Sequence, residues 1–210
     1  MKTTGIRIPP FGLPGTLCVP NRARGLVILA HGSEPKSLRI RNTLLAATLN
    51  AREMATLQFE FLSAEEEKDE TNITDIRLLT VRLIQALRWA REEERVAHLP
   101  VGLMGIDTGG AAALVTAAAL DATIKAVVSW DGRPDLAAAD LAHVHAPTLF
   151  VTGDRDAEII AAMEDAVARL AEPKAFAIVS GSIDPVSHPE ALGAAIDATA
   201  LWFEHYLMSA

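Results

Sequence analysis

At 210 residues, half of them apolar and 22% charged, the chain is long enough for one substantial core and has globular rather than disordered composition. A net charge of −8 argues against a nucleic-acid partner, because binding phosphates needs clustered Lys and Arg. One cysteine, Cys18, leaves no intrachain disulfide and suits a reducing compartment.

The N-terminal Met1-Lys2-Thr3-Thr4-Gly5 lacks the long apolar run of a signal peptide. The longest apolar stretches fall short of a membrane span, so a soluble cytoplasmic protein with no membrane partner is expected. Residues 16–19 read as a strand that holds Cys18 as a buried, inert thiol. Residues 26–30 (LVILA) form the first strongly buried strand, followed by helical sequence over 37–50 and a strand over 55–61. The charged run 64–70 (AEEEKDE) reads as a solvated loop. Asn72 or Thr71 then caps a helix whose Ile73, Ile76, Leu79, Leu83 and Leu87 mark one face. Strands over 101–104, 124–130, 148–152 and 174–179 alternate with helices over 108–120, 158–170 and from Pro189 onward. A short helical turn lies around 135–141. Short β-rich runs alternating with amphipathic segments predict a three-layer α/β/α sandwich with a mostly parallel twisted sheet. With no internal repeat and no linker, residues 1–210 read as one domain.

In open sheets of this kind, ligands bind outside the carboxyl ends of the strands. The strongest motif there is Gly102-Leu103-Met104-Gly105-Ile106-Asp107-Thr108-Gly109-Gly110, with a strand before it and an Ala-rich helix after. Strand, G-x-X-x-G and helix describe a nucleophile elbow, in which glycines permit the sharp turn that lifts the central side chain out of the sheet. That side chain is Asp107. The turn Ala30-His31-Gly32-Ser33 ends the first buried strand; with Thr108 it places two backbone N–H donors, those of Ser33 and Thr108, at an oxyanion hole. His31 reads as a ring bracing that loop at the pocket. Thr152-Gly153-Asp154-Arg155-Asp156 follows a later strand, at a position suited to a supporting acid.

From Gly25 onward the chain resembles the small dienelactone-hydrolase-like branch of the α/β-hydrolase superfamily, with no large cap domain. The segments LVILAHGS, ATLQFEFL, GLMGIDTGGAAAL, AVVSWDGRPDLA, APTLFVTGDRDAEII and WFEHYL carry the resemblance in order. It implies hydrolysis of an ester, lactone or related bond by Ser or Cys, His and Asp, without a cofactor. The implied nucleophile position falls on Asp107, and the acid on Asp156, with Asp154 the alternative. The implied histidine position, after Gly181-Ser182-Ile183, falls on Asp184, and the nearest histidine is His188. Trp130 is expected to line the pocket, and Asp131 is either a further acid or a turn residue. Asp107 and Asp184, brought together, would repel, and one would stay protonated. Clustered carboxylates also suit a hard cation, but no metal-ligand spacing supports a metal site.

Two functions follow. One is a hydrolase of a small ester, lactone or alkyl substrate with Asp107 as nucleophile and His188 as base, passing through an enzyme ester. The other is an inactive pseudo-hydrolase that binds a small molecule or protein partner. A homodimer through an edge strand or the final helix is compatible with either.

Overall fold

The computed structural model describes residues 1–31 and 36–208. Among these, eight runs pair into one sheet: β1 (Lys2–Ile8), β2 (Leu13–Val19), β3 (Gly25–His31), β4 (Met54–Glu60), β5 (Val101–Ile106), β6 (Ile124–Trp130), β7 (Thr148–Gly153) and β8 (Lys174–Val179). Their order is β1-β2-β4-β3-β5-β6-β7-β8. From β4 to β8 every pairing is parallel, whereas the β1–β2 hairpin joins the β4 edge antiparallel.

Six α-helices are described: α1 (Lys36–Ala51), α2 (Glu70–Thr74), α3 (Ile76–Glu92), α4 (Thr108–Leu120), α5 (Ala157–Arg169) and α6 (Pro189–Met208). They cover both faces of the sheet. Because strand side chains alternate between faces, Leu26 and Ile28 join one apolar cluster, with Leu83 and Leu87 of α3, Ala113 of α4 and Met163 of α5. Val27 and Leu29 join the other, with Leu45 and Leu49 of α1 and Leu192 and Phe203 of α6. Burial on both faces explains why these strands read as continuous apolar runs rather than alternating ones. α6 comes so close to the sheet that a Cβ at Gly102 would run into the Phe203 ring.

Two expectations need correction. The run 64–70 is not a plain loop: it contains a 3-10 turn, Glu66–Lys68, and the first residue of α2. The following helix is also not continuous, and neither Thr71 nor Asn72 caps it. Asp69 caps α2 by accepting from the Thr71 N–H, and Asp75, with φ −74° and ψ 87°, interrupts the chain and caps α3 through the Leu78 N–H. An aspartate oxygen offers the first helical N–H groups a nearby acceptor, so two short cap signals divide what apolar periodicity reads as one helix. β1 was not foreseen either. Its Lys2, Thr3 and Arg7 are exposed, and such polar edge strands carry little apolar pattern. Cys18 is buried in β2. Among the described residues no helix is long and apolar enough to cross a membrane.

Candidate active site

β5, buried along its whole length, runs directly into Asp107, and α4 starts at the next residue. Asp107 has φ 51° and ψ −124°, a conformation that costs a residue with a side chain on the order of 1–3 kcal/mol. The surrounding main chain holds it there. Its N–H donates to the Trp130 carbonyl at 3.1 Å, and its carbonyl accepts from the Gly110 N–H at 2.9 Å and the Arg133 N–H at 3.3 Å. Glycine is needed for this closeness: a Cβ at Gly105 would overlap the Gly109 carbonyl, and one at Gly110 would overlap Ser129 Oγ.

Asp107 is exposed to solvent as a whole residue, yet the protein packed around the turn strips enough water to push its carboxyl above the usual range. The Arg133 guanidinium opposes that shift, Asp131 reinforces it, the Thr108 backbone N–H opposes it, and Asp135 adds to it. Arg133 grips Asp135 through both Nε (2.9 Å) and Nη2 (2.7 Å), which holds the Asp135 carboxyl below its ordinary value. Asp131, at the tip of β6 with φ 41°, accepts a hydrogen bond from Thr152 Oγ1 at 2.8 Å. Among the described residues, the acidic neighbours acting on Asp107 are therefore Asp131 and Asp135. The expected pairing of Asp107 with Asp184 is not among its main influences.

Asp184 and His188 lie in the loop from β8 to α6. Asp184 Oδ1 accepts the N–H groups of Val186 (3.0 Å) and Ser187 (2.7 Å), and the Ser187 bond is the main cause of its lowered pKa. It is a turn carboxylate. His188 directs Nδ1 at Ser182 Oγ (2.8 Å) and Nε2 at Arg155 Nη2 (3.2 Å). Neither ring nitrogen bonds Asp107. The two candidate acids divide in the same way. Asp156 caps α5, accepting from the N–H groups of Glu158 (3.0 Å) and Ile159 (3.1 Å). Asp154 accepts the Gly181 N–H at 2.9 Å, which lowers its pKa and ties β7 to the loop.

Trp130, expected at the pocket, has no exposed surface. It is fully buried against α6, and its indole N–H donates to Thr199 Oγ1 at 2.7 Å. Thr108 opens α4 at the elbow, whereas Ser33 and the His31 side chain lie outside the described residues. The main-chain end of β3 is described, with His31 paired to Glu60. Among the described residues no group of three His, Cys, Asp or Glu is placed to hold a metal ion.

Arg133 and Asp135 were missed by sequence reasoning. Their signal was the alternating charge in Asp131-Gly132-Arg133-Pro134-Asp135, which reads as an ordinary polar turn until β6 sets it beside Asp107. An open groove beside this point is lined by Gly132, Arg133, Asp135, Asp156, Glu158 and Ile159.

The family model for dienelactone hydrolases matches residues 45–179. The chain belongs to the dienelactone hydrolase family. A solved dienelactone hydrolase from Anabaena variabilis is 39% identical, superposes with a TM-score of 0.89, and shares 98% of this chain and 97% of its own. The Est1E protein of Butyrivibrio proteoclasticus, at 15% identity and a TM-score of 0.78 over 98% and 99% of the two chains, shares the fold. Two Mycobacterium tuberculosis proteins provisionally named phosphoribosyl transferases are 38% identical over 198 residues, which is 94% of this chain and 45% of theirs. The chain thus spans about half the length of the curated relatives it matches.

Proposed function

We propose that this member of the dienelactone hydrolase family binds a small molecule at the strand ends without hydrolysing an ester through Asp107. The observation that carries this reading is the commitment of both His188 ring nitrogens to Ser182 and Arg155. A hydrolytic carboxylate needs a base to activate the water that clears its ester intermediate. Among the described residues, the charged groups acting on Asp107 are Arg133, Asp131 and Asp135, none of which is an imidazole. The fold, the strained turn and the adjoining groove remain available to a ligand. The mycobacterial relatives' name does not transfer, since over half of their length lies outside the match.

A second reading keeps Asp107 as an attacking carboxylate on an alkyl or acyl carbon. It is favoured by one observation, the positive φ of Asp107, which a residue with no role at the site would have reason to relax. The two readings separate on short p-nitrophenyl esters and haloalkanes, comparing the unchanged chain with Asp107→Ala. Equal, near-background rates are expected from both; a clear loss on Asp107→Ala would support the second reading instead.

A further inference from the structure

The loop between β8 and α6 holds a serine and a histidine in direct contact, with neither ring nitrogen bonded to Asp107. Ser182 Oγ lies 2.8 Å from His188 Nδ1. The ring lies against Gly181, whose φ of +105° and lack of a side chain make room for it: a Cβ there would stand 2.8 Å from His188 Cδ2. The His188 N–H donates to the Asp184 carbonyl at 3.1 Å, so the same short turn presents a hydroxyl, an imidazole and a carboxylate. Both the serine and the histidine are partly exposed and within reach of a small reagent.

What keeps the pair from acting is the proton arrangement. A guanidinium can only donate, so at 3.2 Å from Arg155 Nη2 His188 Nε2 must accept. Nδ1 then carries the ring hydrogen and gives it to Ser182 Oγ, and in that tautomer Nδ1 cannot take a proton from the hydroxyl. Arg155 itself is held loosely, with a side chain 69% exposed and 3.9 Å from Asp154.

We propose that Ser182 is a latent nucleophile toward small acyl esters, with His188 Nδ1 as its base and Arg155 as the positioning residue that holds the ring in the idle tautomer. When Arg155 withdraws, the ring hydrogen moves to Nε2 and the Ser182 hydroxyl donates to Nδ1. An Oγ lone pair attacks the ester carbonyl carbon while the hydroxyl proton passes to Nδ1. The bond from that carbon to the leaving oxygen breaks, and the alcohol departs with the proton from Nδ1. Water then attacks the acyl-serine and gives a proton to Nδ1, which returns it to Ser182 Oγ as the acid leaves. Asp184, held as a carboxylate by the Val186 and Ser187 N–H groups, offsets the imidazolium charge in both halves. Ester and water become acid and alcohol. The pair is independent of whatever Asp107 does.

The test places Asp107→Ala in every protein, so that the elbow carboxylate is silent. This parent is compared with a form that also carries Arg155→Ala, using p-nitrophenyl acetate and peptide mass mapping. The Arg155→Ala form should release a burst of p-nitrophenolate at least about tenfold faster than its parent, with the acetyl group on Ser182. Adding Ser182→Ala, or separately His188→Gln, should abolish the burst while circular dichroism shows an unchanged fold. A burst that survives Ser182→Ala, an acetyl group confined to other residues, or an Arg155→Ala form no faster than its parent would each overturn the proposal.

Discussion

Asp107 combines a left-handed backbone with a carboxyl that its surroundings would rather see neutral. A carboxyl whose folded pKa is raised above its unfolded one binds its proton more tightly in the folded chain. Its contribution to stability therefore falls as pH rises from the unfolded value through the raised folded value, and is level above that. Asp107→Asn removes the charge and tolerates positive φ well. Urea unfolding across the carboxylate range should show the variant gaining on the unchanged chain as pH rises; a variant that loses ground as pH rises would contradict the shift. A second residue, Thr199, is defined by its partner. Replacing it with Val leaves the buried Trp130 indole N–H without its acceptor, and should destabilise the fold by about 1–3 kcal/mol. Neither assignment was legible in the sequence. Trp130 next to Asp131 reads as a pocket edge, because strand alternation alone does not say which face α6 covers.

Among the elements, α5 gives the clearest separation between structure and chemistry. Its cap is Asp156, bonded to the Glu158 and Ile159 N–H groups, at a position that resemblance assigns to a supporting acid. Asp156→Ala should lower stability by about 1 kcal/mol, whereas Asp156→Asn, an equally good cap, should keep nearly all of it. Thermal unfolding of the two variants distinguishes a cap from a carboxylate whose charge is needed, since charge loss alone would harm both. The same physics divided α2 from α3 at Asp75. Asp69, Asp75 and Asp156, each directly before a helix, are cap residues first, and the sequence marks them as caps as strongly as it marks any of them as catalytic. The elbow differs because glycine spacing around Asp107 carries geometric information: the close approaches at Gly105 and Gly110 exclude any side chain there.

For the whole molecule, stability depends on two helical layers closing on the sheet, and α6 packs closely over Gly102. Gly102→Ala would press a methyl into the Phe203 ring and should cost about 1–3 kcal/mol, a melting temperature lower by roughly 2–4 °C per kcal/mol in a chain of this size; an unchanged melting temperature would show that α6 can shift at no penalty. The sequence by itself determined the layered α/β/α architecture, the parallel strands and the turn at Asp107, because hydrophobic periodicity and glycine spacing are local consequences of backbone geometry. It also carried the family resemblance that the match over residues 45–179 establishes. Only the tertiary structure decided which charges meet. Arg133 and Asp135 reach Asp107 through the end of β6, while His188, in the loop after β8, turns to Ser182 and Arg155. Side-chain partnerships across strands depend on register and loop course, which no local spacing encodes, and so the sequence could place an aspartate at the elbow but could not say what surrounds it.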